Sequence, residues 1–182
     1  MSKALLVIDI QNDYFPGGAM ELVGSVEAAQ QAALIQESFR KSGDPVVHVQ
    51  HVARSREATF FLPNTWGVEI NELVFPVNDE AVIVKHFPNS FRETNLLELF
   101  KSLTVDELTI VGMMTHMCID TTVRAANDLG FNVTLVSDAC ATRNLVFEDK
   151  EVSAAQVQAA YLAAIDGSFA TVVSAEKLLG LI

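Results

Sequence analysis

Three residues of this 182-residue chain have types suited to acyl-transfer chemistry, and each stands where a short apolar run stops. Asp9 lies near the end of "ALLVIDI", Lys85 closes "AVIVK", and Cys118 follows "ELTIVGM" at the start of "IDTTVRAA". A thiolate attacks carbonyl carbon, and a helix N-terminus or a nearby cation lowers the thiol pKa from about 8.5. A carboxylate accepts the thiol proton and later returns it to the leaving group. An ammonium beside that carboxylate orients it and adds positive potential where the thiolate forms. Taken singly, each residue has a plainer reading. Free cysteine is usually a small buried hydrophobe, and a strand-end lysine is usually a solvated charge. An acid inside "VIDI" needs a cation or water. Taken together, Asp9 and Lys85 form a pair that manages the proton of the Cys118 thiol. The expected course is attack on a carbonyl, a tetrahedral intermediate, a thioester and its hydrolysis. Backbone N–H groups of the turn Met113–Cys118 are candidates for an oxyanion hole.

The elements that must position these residues alternate along the chain. Apolar, β-branched runs occupy Ala4–Ile10, Pro45–Val52, Ala81–Lys85, Glu107–Met113, Asn132–Ala139 and Ala170–Ala175. Most are nearly continuous in apolar character, as in strands buried on both faces. Between them lie helical patterns. Ser25–Lys41 places Ala28, Ala32, Ile35 and Phe39 on one stripe. Thr94 is the expected N-cap of "NLLELFKSL", and the segment after Cys118 runs to Gly130 as its C′ residue. Glu151–Ile165 is expected to be helical, with Val157, Ala160, Tyr161 and Ala164 aligned. Such alternation implies one α/β domain over residues 1–182, a three-layer α/β/α Rossmann-like fold with a six-stranded, mainly parallel sheet. In such sheets ligands bind beyond the carboxyl ends of the strands, which is where Asp9, Lys85 and Cys118 fall. The irregular stretch Ala53–Asp79 is too long for a simple connection and is expected to be a lid or pocket wall.

Charge and composition narrow the function. With 12 basic and 23 acidic residues the net charge is -11, which disfavours nucleic acid and anionic membranes. No run of eighteen apolar residues suggests a membrane span, and the start "MSKALLVIDIQND" does not read as a signal peptide. Two cysteines make no disulfide framework and suit a reducing, cytoplasmic setting. Cys140 is the rival nucleophile, but nothing like "IDTTVRAA" follows it, and it is expected to be structural. His116, two residues from Cys118, offers a second-ranked Cys–His arrangement. His48 and His51, at i and i+3 of one strand, face opposite ways, and no metal site is expected.

The segments "ALLVIDIQNDYFPGGAMEL", "VIVKHFPNSFRETNL" and "VGMMTHMCIDTTVRAANDLGFNVTLVSDACAT" resemble, in order, the three signature blocks of the isochorismatase-like cysteine hydrolases. That superfamily includes nicotinamidases and N-carbamoylsarcosine amidohydrolases, and the resemblance runs from about Ala4 to Thr142. It implies an Asp–Lys–Cys triad at Asp9, Lys85 and Cys118. It also implies a non-proline cis peptide at Met113–Met114 and an oxyanion hole from the N–H groups of Met114 and Cys118. Gln11, Phe15, Trp66 and Phe91 are the residues it places around the substrate pocket. Two departures matter. The Asp-x-His metal motif of nicotinamidases is not matched by "VHVQHVARSREATF", and isochorismatases proper generally lack the nucleophilic cysteine. The expected function is therefore a metal-independent cysteine hydrolase, without a cofactor, acting on a small amide, carbamoyl or related acyl compound. The alternatives are a nicotinamidase with a degenerate metal site and a catalytically silent binding module of the same fold. Phe60, Phe61, Leu62 and Trp66 in the long loop suggest an interface, and the resemblance implies a homo-oligomer.

Overall fold

The computed structural model describes residues 2–181. Among them the strands are β1 (Ser2–Ile8), β2 (Val46–His51), β3 (Ala81–Lys85), β4 (Val105–Met113), β5 (Asn132–Ala141), β6 (Leu145–Phe147), β7 (Lys150–Val152) and β8 (Thr171–Val173). The helices are α1 (Ser25–Ser42), α2 (Leu96–Ser102), α3 (Asp120–Asp128), α4 (Ala154–Ile165) and α5 (Ala175–Leu178). Each expected apolar run forms a strand of one six-stranded sheet ordered β3-β2-β1-β4-β5-β8, and every neighbouring pair in it is parallel.

Burial on both faces explains the continuous apolar runs. Along β1, Leu5 and Val7 enter a core shared with Ala28, Ala32, Ile35 and Phe39 of α1. The alternate residues Ala4, Leu6 and Ile8 enter a second core with Leu96 and Phe100 of α2 and with Ile119, Val123 and Ala126 around α3. Period-two alternation thus divides one strand between two helical layers. No helix among the described residues is long and apolar enough to cross a membrane.

Two local expectations are corrected. The N-cap of α2 is Asn95, although Thr94 Oγ1 still accepts a long hydrogen bond from Leu96 N (3.4 Å). Helix α4 starts at Ala154 rather than Glu151, because Ser153 and Gln156 close a reciprocal capping box there. The preceding residues form the antiparallel hairpin β6–β7, which the sequence reading did not contain. Ala154, Val157 and Ile165 are the buried positions of α4, whereas Ala160 and Ala164 are exposed.

The sheet order reverses between β1 and β4. From β1 the chain builds outward through β2 to β3, then crosses back to β4 and builds the other way through β5 to β8. Such a switch point leaves a crevice at the carboxyl ends of the two central strands. The strands close tightly there. Gly112 pairs with Ile8 at φ 136, and a Cβ on it would run into the Ile8 backbone. Gly112→Ala is therefore expected to lower unfolding free energy by more than about 2 kcal/mol. Urea denaturation checks this; an unchanged midpoint would refute so close an approach.

Candidate active site

Asp9 is the first residue beyond β1, and its φ of 52 turns the chain out of the strand into the left-handed region, which aspartate tolerates better than most residues. Its N–H donates to Val49 O (3.0 Å) and its carbonyl accepts from Gln11 N (2.9 Å). Lys85 ends β3, with β2 between it and β1, and its long side chain crosses that gap. Its Nζ lies 2.8 Å from Asp9 Oδ2 and donates to Pro88 O (3.0 Å). Both side chains are 0% exposed. The contact with Asp9 is an ion pair without good hydrogen-bond alignment, and neither Asp9 oxygen gains another protein hydrogen bond among the described residues.

Cys118 sits in a π-helical turn, Thr115–Ile119, that links β4 to α3. One Asp9 oxygen, Cys118 Sγ and one ring nitrogen of His51 all lie within 4.8 Å of one another. The fold therefore gathers the three chemistry-bearing residues read from sequence and adds His51, the last residue of β2.

The electrostatics differ from expectation in one respect. Burial pushes the Cys118 thiol well above the usual thiol range, Asp9 adds to that, and Lys85 opposes it without prevailing. Proximity to a helix start and a cation does not lower it, because the thiolate would be a second anion beside Asp9 in a dry site. Burial also pulls the Lys85 ammonium down, but Asp9 and Cys118 outweigh this and raise its pKa, so it stays charged. Burial, with Cys118 and Asp9, raises the Tyr14 hydroxyl too, keeping it protonated.

The other expected site residues have more varied places. Gln11 is buried and grips its neighbours: its Oε1 accepts from His51 N (2.7 Å), while its Nε2 donates to His51 O (2.9 Å) and Val68 O (2.7 Å). Phe15 is buried in the α1-side core. Trp66 is 56% exposed, and Phe91 stacks on Phe131 at 6.0 Å in the α2–α3 layer. An aromatic residue in an irregular segment serves a core as readily as a pocket, and spacing alone does not separate the two. The Met113–Met114 peptide is cis, and the N–H groups of Met114 and Cys118 belong to the turn that carries the thiol. His116 turns to Thr142, with 2.6 Å between Nδ1 and Oγ1. His48 lies in a separate cluster, 3.1 Å from Glu80 Oε2 and 3.5 Å from Gln36 Nε2, so it shares no site with His51.

The long segment expected as a lid or wall is tied down as a wall. Asp13 Oδ2 accepts from Phe61 N (2.6 Å) and Oδ1 from Ala19 N (3.1 Å). Phe61 is thereby held at φ 56, an uncommon conformation for a bulky residue, with its ring 4.6 Å from Tyr14 and 5.8 Å from His51. Gly67 closes over the Asp13 carboxylate, where a Cβ would collide. Phe61 is buried and Phe60 half-buried, so of the apolar residues expected at an interface only Leu62 and Trp66 are exposed. Sequence reading missed Asp13, Tyr14, Phe61 and His51 as a set. The available signal was "QNDY" directly after Asp9, since residues beyond a strand end face the crevice.

Asp9, His51 and Cys118 are also the described residues closest to a metal-binding arrangement. A cation there would compete with the Lys85 ammonium for the same carboxylate.

A six-stranded parallel sheet with helices on both sides and its crevice at the β1/β4 switch point places the molecule among three-layer α/β/α proteins. Residues 3–177 match the Isochorismatase domain. The chain is 52% identical over 179 residues to the uncharacterized isochorismatase family protein YddQ of Bacillus subtilis (strain 168), covering 98% of this chain and 99% of that one. It is similar in structure to an isochorismatase hydrolase from Oleispira antarctica, with TM-score 0.95, 46% identity, and 98% and 96% of the two chains covered. It is also 32% identical over 143 residues to streptothricin hydrolase of Streptomyces noursei, covering 79% of this chain and 51% of that protein. The chain belongs to the isochorismatase family and is one of its hydrolases.

Two outcomes follow from this geometry. Because the Cys118 pKa is raised, the resting thiol is protonated at neutral pH, and its thiolate fraction grows tenfold per pH unit. Iodoacetamide labelling of Cys118, followed by peptide mass spectrometry, should keep accelerating from neutral to alkaline pH; a plateau by pH ~8, below the free-thiol value, would refute the raised pKa. Asp13→Ala should cost about 3 kcal/mol, since it strands two N–H donors, one of them buried, whereas Asp13→Asn should cost less because its amide oxygen keeps one of them. Equal denaturation midpoints for wild type and Asp13→Ala would contradict this role of the Asp13 carboxylate.

Proposed function

We propose that the protein is a cysteine hydrolase that needs no metal and cleaves a small amide, carbamoyl or related acyl compound through a thioester on Cys118. The observation that carries this reading is the fully buried Asp9–Lys85 ion pair with the Cys118 sulfur beside it. A buried ion pair is costly unless it serves the structure or the chemistry, and a nucleophile in contact with it gives it a chemical use.

The thiol proton passes to Asp9 as Sγ attacks the carbonyl carbon. The oxyanion forms against the Met114 and Cys118 N–H groups, an arrangement in which one donor is worth roughly 3–4 kcal/mol. Lys85 stays protonated, holds Asp9 in place and offsets the negative charge of the sulfur. Collapse breaks the C–N bond, and Asp9 gives its proton to the departing nitrogen. Water then hydrolyses the thioester. Similarity to streptothricin hydrolase supports a hydrolytic reading, though the chain spans only 51% of that relative's length.

The test is a screen of small amides and N-carbamoyl compounds for ammonia or amine release, with Cys118→Ala as the blank. Activity should fall by about 10⁴-fold or more in Cys118→Ala and severely in Asp9→Asn, with the thermal midpoint of Cys118→Ala little changed. Undiminished turnover by Cys118→Ala would remove the nucleophile from this reading. Release of ammonia from nicotinamide that chelators abolish would favour the metal-dependent alternative. No turnover across the screen, with labelling of Cys118 and Cys140 alike, would favour a silent binding module.

A further inference from the structure

We infer that His51 is the general base of the second half-reaction, taking the proton from the water that hydrolyses the Cys118 thioester. This rests on the proposed role of Cys118 as nucleophile, and the position of His51 carries the rest. Its Nδ1 is 4.0 Å from Asp9 Oδ2, and a ring nitrogen lies within 4.8 Å of Cys118 Sγ. An acyl carbon attached to Sγ is one bond from that sulfur. A water hydrogen-bonded to the imidazole at about 2.8 Å would therefore reach it at attacking distance.

The side chain is placed rather than incidental. Gln11 holds the His51 backbone from both sides, through its N–H and its carbonyl, and the ring packs against Phe61, which Asp13 fixes in turn. His51 also borders a cavity of about 340 Å³ lined by Ala53, Ala58, Phe60, Phe61, His86 and Phe87. Asp9 and Lys85 are sealed, whereas the His51 side chain is 19% exposed. It is thus the residue that joins the sealed ion pair to space that water and substrate can enter.

Chemistry supplies the need. Once the amine has left with its proton, Asp9 is again held by Lys85 at 2.8 Å with both side chains sealed from incoming water, whereas the His51 side chain is open to it. His51 faces Asp9, Lys85, His86 and Cys118. Burial lowers its pKa, Asp9 opposes this, and Lys85 and His86 reinforce it, so the imidazole is neutral at pH 7 and able to accept. Among the described residues His51 is the imidazole grouped with both Asp9 and Cys118, and the other two nearby are engaged elsewhere. His116 is joined to Thr142, and His86 donates Nδ1–H to Val52 O (2.7 Å). Water transfers a proton to His51 while its oxygen bonds to the thioester carbon. Collapse breaks the C–S bond, the imidazolium proton goes to the thiolate directly or by way of Asp9, and the acid departs. One water is consumed, and every side chain regains its resting proton.

The test uses p-nitrophenyl acetate as acyl donor, which needs no knowledge of the natural substrate. Stopped-flow release of nitrophenol reports acylation, and peptide mass spectrometry after rapid quench reports acetyl on Cys118. In His51→Gln and His51→Ala the initial burst should persist while steady turnover falls about 10²-fold or more and acetyl-Cys118 accumulates. The burst itself shows that the variant is folded. Added imidazole should restore turnover to His51→Ala and leave the wild type unchanged. Steady turnover unaffected by either variant, or burst and turnover falling in parallel with no acetyl-Cys118, would overturn the role of His51. Wild-type turnover without acetyl on Cys118, matched by Cys118→Ala, would instead overturn the nucleophile on which this rests.

Discussion

The candidate site is organised around one contact, the ion pair between Asp9 and Lys85. Removing two charges from water costs several kcal/mol per ion, and mutual attraction recovers this only with good geometry. Here the geometry has to be assembled from strands that are not neighbours. β2 lies between the partners, so lysine, with its long flexible stem, spans the gap, and Pro88 O takes one of its hydrogens. The pair also decides the state of the sulfur. With Asp9 negative, Lys85 positive and the thiol neutral, the buried group carries no net charge. Ionising Cys118 to solvent would leave an excess anion in a dry site, which is why the thiol pKa rises. Moving the same proton from sulfur to Asp9 keeps the sum at zero. The pair therefore favours proton transfer within the cluster over proton loss from it.

That cluster exists because of where the sheet reverses. Asp9 follows β1 and Cys118 follows β4, the two strands on either side of the switch point. Gly112 lets those strands approach closely beside Ile8, and the turn after β4 then carries the thiol over the end of the sheet. β2 contributes in a different way. Being placed between β1 and β3, it ends under the ion pair, and its final residue His51 pairs in register with Lys85. Asp13 then links this edge to the long segment, fixing Phe61 against both Tyr14 and His51. The wall is held by the Asp13 carboxylate, by the Gln11 and Asn12 side chains on the Val68 and Trp66 carbonyls, and by Phe61, Val68 and Val74 buried in the α1-side core.

The sheet and the Asp–Lys–Cys constellation were legible because they rest on patterns that act locally. Continuous apolar runs report burial on both faces, and a polar residue at the end of such a run reports the crevice. What failed was information that exists only after strands are ordered. His51 was correctly separated from His48 by alternation, yet its neighbours Asp9 and Lys85 come from strands on either side of β2, and one sequence does not give that order. The resemblance places Trp66 and Phe91 around the pocket; in the fold Trp66 is largely exposed and Phe91 packs in a ring cluster with Phe100 and Phe131. The hairpin β6–β7 has three-residue strands, too short for any period to register. A helix start and a cation, both readable in sequence, argue for a lowered thiol pKa, whereas the burial that raises it exists only in the fold.

Burial changes what separates the two cysteines. Burial pushes Cys140 up to about 12, with a backbone N–H from Gly112 opposing it and Asp138 adding to it. Cys118 is raised as well, so neither thiol stands out by its resting ionisation. The distinction lies in what is within reach when an electrophile arrives. Cys118 has a carboxylate and an imidazole nitrogen within 4.8 Å, one paired with an ammonium and the other bordering a cavity. Cys140, on β5, packs into the α2–α3 core among apolar side chains. A nucleophile of the kind proposed for Cys118 is defined by an acceptor positioned to take its proton during attack, and a depressed thiol pKa is not its mark.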